Sequence, residues 1–352
     1  MVKASINGFG RIGRSAFRVW LSRPDLREQL DVVAINTSGS MDTAGWAYLL
    51  KYDSNYGKLG TSVEVEEVRK SKEASDNEPL IGYFKIDGKQ IAILAQRDPE
   101  KIPWGQYGVK VVIESTGVFR DEEGAKKHLN AGAKKVVISA PSKGGAIETD
   151  VIGVRDYTGE FAIVDNASCT TNCISPVVAI VNEALGIKKA ALTTAHSYTD
   201  DQNLQDGSHK DLRRARAAAI NIVPTSTGAA IATTKVIPEL SGKFDGVALR
   251  VPTSVGSISD LTFLVEKQTS VEQVNDIFRE AAGQEKWKNI LAVTDEPLVS
   301  SDIVGRSESA IVDLGLTQVI DHDLVKVMAW YDNEWGYCNR LVEQVVAVGS
   351  YD

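Results

Sequence analysis

In the run Asn166-Ala167-Ser168-Cys169-Thr170-Thr171-Asn172-Cys173, Cys169 stands where a strand over 161–164 gives way to a helix over 170–184. A helix start exposes unpaired N–H groups and the positive end of the macrodipole. Both stabilise a thiolate and lower the thiol pKa. The thiolate is the reactive form, so Cys169 is placed as a nucleophile. Cys173 falls one turn deeper and reads as a small buried residue. Its C-x-x-x-C spacing is not the C-x-x-C of redox or zinc sites. Three cysteines and four histidines make no ligand-spaced cluster, so no metal is expected.

A nucleophilic thiolate needs a proton acceptor. His196 closes an apolar strand over 190–196, at the strand end where α/β proteins meet ligands. It is the candidate general base, although spacing alone leaves a hydrogen-bonded core histidine equally open. His128 lies in a polar helix, His209 among charges, and His322 between Asp321 and Asp323. These three read as solvated surface histidines.

Anion sites follow. The run His209-Lys210-Asp211-Leu212-Arg213-Arg214-Ala215-Arg216 is basic within an acidic chain. It reads either as a salt-bridged loop or as a local phosphate site helped by Arg250 at a strand end. Thr225-Ser226-Thr227-Gly228-Ala229-Ala230 opens a further helix whose hydroxyls and N–H groups suit a second phosphate. Asn7-Gly8-Phe9-Gly10-Arg11-Ile12-Gly13 joins a first strand over 4–7 to a helix over 11–22, the context a dinucleotide fingerprint requires. Gly8 serves the turn, Gly10 the approach of a pyrophosphate, and Gly13 the packing of helix on strand. The second strand ends in Asn36-Thr37-Ser38-Gly39-Ser40, without the acid that holds an NAD ribose. Thr37 and Ser38 hydroxyls suit a 2′-phosphate, which leans toward NADP or toward both cofactors. A plain loop is the other reading.

Together these groups describe one chemistry. A thiolate adds to an aldehyde, hydride leaves to a nicotinamide, and phosphate attacks the resulting thioester.

The elements that must carry these residues alternate in the first half. Strands over 31–36, 109–115 and 135–140 and a helix over 122–131 predict a parallel sheet under helices. The segments 81–86 and 90–95, joined through Asp87-Gly88, predict a hairpin extending it. The polar stretch 61–79 reads as a solvated excursion. Beyond Ser168, strands over 247–252, 258–265 and 325–331 with a helix over 271–282 predict an α+β domain, and 334–348 a closing helix. The fold class is thus α/β: a dinucleotide-binding Rossmann domain (1–168 and 333–352) plus an α+β catalytic domain (169–332) with a mostly antiparallel sheet.

At 352 residues the chain has room for two domains and a large core. Its net charge of −8 speaks against nucleic-acid and anionic-membrane partners. No apolar stretch reaches the length of a membrane span and no secretory segment is read. An odd, low cysteine count predicts a reducing, cytoplasmic setting.

The chain resembles the phosphorylating glyceraldehyde-3-phosphate dehydrogenases along essentially its whole length. The resemblance rests on Ile6-Asn7-Gly8-Phe9-Gly10-Arg11-Ile12-Gly13-Arg14, Leu50-Lys51-Tyr52-Asp53-Ser54 and Ser168-Cys169-Thr170-Thr171-Asn172-Cys173. It also rests on His196-Ser197-Tyr198-Thr199, Asp211-Leu212-Arg213-Arg214-Ala215-Arg216, Leu249-Arg250-Val251-Pro252-Thr253 and Trp330-Tyr331-Asp332-Asn333-Glu334-Trp335-Gly336-Tyr337. It implies Cys169 as nucleophile, His196 as base, and Thr199 and Arg250 on the substrate phosphate. It implies that Ser168, Thr170, Arg216, Thr227 and Gly228 shape the substrate and attacking-phosphate sites. Arg11 and Ile12 would lie against the cofactor pyrophosphate, Arg97 and Ser139 further along it, and Asn333 beside the nicotinamide amide. A homotetramer is implied, with the arginine-rich loop crossing toward a neighbour's cofactor.

Three departures stand out. Thr37 replaces the aspartate that NAD-using members place on the ribose. Gly207-Ser208 replaces a bulkier Leu-Pro and resembles the Ala-Ser of NADP-using photosynthetic members, where a serine reaches a neighbour's 2′-phosphate. The stretch 70–79 looks inserted. Two further readings stand beside the main one: another phosphorylated aldehyde such as erythrose 4-phosphate, and a nucleotide-binding regulatory or scaffold protein without catalysis.

Overall fold

The computed structural model describes residues 1–351, which divide into two compact units. Unit one comprises 1–150, 157–166 and the chain from Cys338 on; unit two comprises 151–156 and 167–337.

Unit one is built on a nine-stranded sheet. From one edge its strands are Glu148–Thr149, Ile163–Asp165, Lys135–Ile138, Val111–Glu114, Val2–Asn7, Leu30–Thr37, Lys89–Ala95, Leu80–Ile86 and Glu64–Glu67. Pairing is parallel from the first through Lys89–Ala95, then antiparallel. The hairpin turns at Asp87 (φ 51°) and Gly88 (φ 78°), the doubly left-handed turn that matches strand twist. Its second strand joins the parallel set and its first returns antiparallel. The excursion 61–79 is more structured than its polarity predicts: Glu64–Glu67 pairs with Leu80–Ile86 as the edge strand. Charged side chains are what an exposed edge tolerates.

Buried Ala34, Leu94, Ile102, Trp104 and Val112 form one core layer of this unit. The helix Glu122–Asn130 corrects one expectation. Its sequence is polar, yet Ala125 and His128 are fully buried. Their three-residue spacing puts both on the inner face.

Unit two carries a seven-stranded sheet in the order Val223–Ser226, Phe244–Val251, Ile187–Ser197, Ser257–Val265, Leu324–Tyr331, Ala310–Ile320 and Leu291–Thr294. Pairing is antiparallel except between Ile187–Ser197 and Phe244–Val251 and between the last two strands. Helices Cys169–Leu185 and Val271–Ala282 contribute to its core. Cys173, Val177 and Val181 follow one another at one-turn spacing. They join Leu192, Leu261, Phe263, Val325 and Val327 in that core. Val271–Ala282 starts with a full capping box between Ser270 and Gln273. No described helix is long and apolar enough to cross a membrane.

Candidate active site

The parallel pairing of Ile187–Ser197 with Phe244–Val251 sets His196 directly opposite Arg250. Arg250 Nη1 donates to Thr199 Oγ1 at 2.9 Å and to the Ser197 carbonyl at 3.1 Å. It also lies 3.1 Å from His196 Nδ1. Arg250 Nε is buried without a partner among the described residues. An orphaned charged donor of this kind fits an incoming anion.

The nucleophile helix, Cys169–Leu185, starts at the same place. Ala167, two residues before Cys169, takes a left-handed φ of 50°. Such backbone strain clusters at functional sites. Ser168 caps the helix, its Oγ accepting from Thr171 N at 3.0 Å. The Cys169 Sγ then lies 3.3 Å from His196 Nε2.

His196 Nδ1 meets the Ser197 carbonyl at 2.7 Å. A carbonyl only accepts, so this shorter contact assigns the proton to Nδ1 and leaves Nε2 bare, facing the thiol. Burial lowers the His196 pKa to about 3, with the charge of Arg250 acting in the same direction. Burial raises the Cys169 thiol, against Arg250 and the N–H and hydroxyl of Thr170. The expectation that the helix start lowers this pKa is therefore corrected: desolvation outweighs it. The 3.3 Å contact puts Nε2 within reach of the S–H proton.

One contributor is not visible in the spacing. Tyr331, from strand Leu324–Tyr331, hydrogen-bonds Thr170 Oγ1 at 3.0 Å and Thr194 Oγ1 at 2.9 Å. It joins the nucleophile helix to the histidine strand, and its ring meets His196 edge-on at 5.9 Å. The only sequence signal was its place in the Trp-Tyr-Asp-Asn-Glu run. In that run Asn333 is buried, with Oδ1 accepting from Gly256 N at 3.2 Å and Ser257 Oγ at 3.0 Å. Cys173 is fully buried, as its spacing predicts.

The loop arginines are not drawn into this cluster. Arg214 pairs with Asp201 and Asp211, and Arg216 pairs with Asp206 at 3.1 Å while 64% exposed. Here the salt-bridged reading describes the loop. Ser208 is exposed, and Thr227 Oγ1 accepts from Ala229 N at 3.2 Å. Gly228 leads helix Ala229–Val236 without a side-chain cap of its own, and the first N–H of the helix, that of Ala229, is the one held by Thr227. Of the other histidines, His322 is exposed and His209 is half-buried, accepting from Asp211 N. His128 departs from the surface reading, as described above.

In unit one the glycine turn fits a dinucleotide. Gly8 has φ 96°, and a Cβ there would meet Thr116 N at 2.7 Å; around Gly10 the space is open. Helix Arg11–Ser22 starts with neither a side-chain cap nor an acid in its first turn, which suits a pyrophosphate. Arg11 and Ile12 are half-buried there, and Gly13 packs against the Gly8 carbonyl. Arg11 is held by Asp53, Nη1 to Oδ2 at 2.5 Å. Ser139 is half-buried, its N–H bonded to the Glu114 carbonyl, and Arg97 is exposed.

Thr37 departs from expectation. It is buried and its hydroxyl donates to the Leu94 carbonyl at 2.9 Å, because the strand continues through it to pair with Ala95. Asn36 also points inward, donating to Asn7 Oδ1 at 2.7 Å. Of the three, only Ser38 is exposed.

A thiol set against a buried imidazole, on a chain that also carries a dinucleotide-binding turn, fits an oxidoreductase of the NAD(P) class. Known proteins narrow the class. Residues 2–122 match the glyceraldehyde 3-phosphate dehydrogenase NAD binding domain, and residues 168–333 match the C-terminal domain of the same enzyme. The chain is 50% identical over 346 residues to glyceraldehyde-3-phosphate dehydrogenase 2 of Synechocystis, covering 97% of each. It is 50% identical over 344 residues to the chloroplastic dehydrogenase A of Chlamydomonas reinhardtii, covering 97% of this chain and 87% of that one. To the Mycobacterium bovis glyceraldehyde-3-phosphate dehydrogenase it is 49% identical over 351 residues, covering 99% of each. The chain belongs to the glyceraldehyde-3-phosphate dehydrogenase family.

Proposed function

We propose that the protein catalyses the reversible, phosphorylating oxidation of D-glyceraldehyde 3-phosphate to 1,3-bisphosphoglycerate. The observation that carries this reading is the 3.3 Å contact of Cys169 Sγ with His196 Nε2, beside Arg250. Arg250 and Thr199 hold the substrate phosphate. Cys169 gives its proton to Nε2, its sulfur adds to the aldehyde carbon, and Nε2–H passes that proton to the former carbonyl oxygen, forming a hemithioacetal and leaving His196 neutral. His196 then takes the hemithioacetal hydroxyl proton as the C–H hydrogen departs as hydride. A bound nicotinamide dinucleotide supplies the hydride acceptor. The product on Cys169 is a thioester, and inorganic phosphate attacks its carbonyl carbon. The C–S bond breaks, releasing the acyl phosphate and returning the Cys169 thiolate. Ser168, Thr170, Thr227 and Gly228 shape the sites for substrate and attacking phosphate.

The cofactor is NADP by preference, with NAD also accepted. The absence of an acid at the second strand end and the exposed Ser38 and Ser208 support this. A homotetramer is supported by exposed apolar side chains on unit two, among them Leu204, Leu212, Ile220 and Ile222. Three free cysteines suit the cytoplasm.

The test is the specificity constant for glyceraldehyde 3-phosphate oxidation with NAD and with NADP, each with and without inorganic phosphate. A requirement for phosphate and a higher value with NADP are expected. A higher value with NAD would overturn the cofactor preference alone. Turnover that ignores phosphate would overturn the acyl-phosphate step. Tight dinucleotide binding without turnover would favour the regulatory reading.

A further inference from the structure

The inserted stretch takes no part in the chemistry above, yet its far end returns to the carboxyl ends of the parallel strands. There the Asn36 side chain clamps the peptide of Gln96, donating to its carbonyl at 2.8 Å and accepting from its N–H at 3.0 Å. Gln96 Nε2 in turn donates to Asp76 Oδ1 at 3.1 Å. Lys101 Nζ donates to Asp76 Oδ2 at 2.5 Å. Thr37 pairs with Ala95, one residue before Gln96. The Asp76 carboxylate is thus tied to the strand end where dinucleotide-binding units place the acid that meets the adenosine ribose.

Neither position 37 nor Asp98 takes that role. Position 37 is a threonine with its hydroxyl turned inward. Asp98 faces its own turn, accepting from Glu100 N at 3.3 Å. The cations of this corner are exposed Arg97 and Lys101, and Lys101 is engaged by Asp76.

We propose that Asp76 is a specificity-determining carboxylate for the adenosine end of the cofactor. Its charge, and its hold on Lys101, weaken binding of a 2′-phosphorylated dinucleotide relative to an unphosphorylated one. The inserted loop therefore restores, from another part of the chain, some of the discrimination that Thr37 removes. This rests on the reading of unit one as the NAD(P) site and is independent of the chemistry at Cys169.

The Asp76–Lys101 pair is more than half exposed on both sides, so breaking it costs little stability. Asp76→Asn is nearly isosteric and keeps an oxygen for Gln96, so it removes charge without removing the tether. The measurement is the dissociation constant of NAD and of NADP, by calorimetric titration of the full-length protein at low salt and at about 0.5 M salt. Removing one charge within a Debye length of a 2′-phosphate changes affinity roughly three- to tenfold at low salt, and less as salt rises. Asp76→Asn is expected to tighten NADP by that factor and leave NAD unchanged, while Lys101→Met weakens NADP. Equal shifts for both dinucleotides, or none, would overturn the proposal and leave Asp76 a structural tether. A wild-type protein that binds neither dinucleotide would overturn the site itself, and the proposal with it.

Discussion

The indole N–H of Trp104 donates to Nδ1 of His128 at 3.0 Å, and His128 Nε2 lies 2.9 Å from Glu114 Oε2. An indole can only donate, so Nδ1 is bare and Nε2–H donates to the Glu114 carboxylate. Glu114 Oε2 also accepts from Asn7 Nδ2 at 2.6 Å, one residue before the glycine turn. Glu114, His128 and Asn7 are all buried. The network therefore joins a core helix to the strand ends beneath the dinucleotide turn. His128→Phe leaves the indole and the carboxylate short of a partner. The expected loss is about 3 kcal/mol, read as a fall in the thermal unfolding midpoint of the cofactor-free protein. His128→Gln, which retains a donor, is expected to lose less. A loss within the range of surface substitutions would mean that Glu114 finds another partner.

His196 makes stability depend on pH. Its pKa falls from 6.5 to about 3 on folding. Between those values the unfolded chain takes up a proton that the folded chain refuses. Stability is complete above 6.5 and declines as pH drops toward 3, by up to about 1.4 kcal/mol per pH unit. His196→Gln removes this titration. Unfolding midpoints measured from pH 7 to pH 4 should fall more steeply in the wild type than in the variant. Parallel slopes would show that His196 is not held neutral by burial.

Much of this arrangement is legible in the chain because local signals and tertiary structure agree. Arg11–Ser22 and Val271–Ala282 form as read, the first after a glycine turn and the second behind a capping box. The sequence places Cys169 and His196 at element ends, and the structure sets their side chains 3.3 Å apart. The contacts made by register were not. Nothing local says that parallel pairing sets Arg250 against His196, or that Tyr331 bridges Thr170 and Thr194. The lowered thiol pKa read from the helix start was reversed by desolvation, which depends on how much protein surrounds Cys169. Polarity misled at His128 because Glu122–Asn130 is short, and three buried residues decide which way it faces.

Arg250 serves two groups, so its replacement should separate them. Its guanidinium holds Thr199 Oγ1 and lowers the Cys169 pKa by its charge. Arg250→Lys keeps the charge and loses the planar fork, which matters most for a phosphate. kcat/KM for glyceraldehyde 3-phosphate should fall about 100-fold, the loss of roughly 3 kcal/mol of charge-assisted hydrogen bonding. Oxidation of unphosphorylated glyceraldehyde should change much less. Arg250→Met removes the charge as well, and alkylation of Cys169 by iodoacetamide at pH 7 should slow further. Equal losses on both aldehydes would mean that Arg250 acts on the Cys169–His196 pair alone.

The exposed face of unit two tests assembly and cofactor choice together. Ile220 and Ile222 are 80% and 67% exposed, next to Val223–Ser226, an edge strand of the seven-stranded sheet. A monomer with large isoleucines beside an open strand edge invites association. Each isoleucine buried between copies contributes about 1.5–3 kcal/mol, and symmetry repeats the contribution. Ile220→Asp with Ile222→Asp should therefore convert a tetramer to smaller species in sedimentation velocity. Ser208 lies exposed in the loop just upstream. If it reaches a neighbour's 2′-phosphate, dissociation must weaken NADP more than NAD. Ser208→Ala should then reproduce that selective loss without dissociation, whereas an unchanged NADP/NAD ratio in both variants would exclude any contribution across subunits.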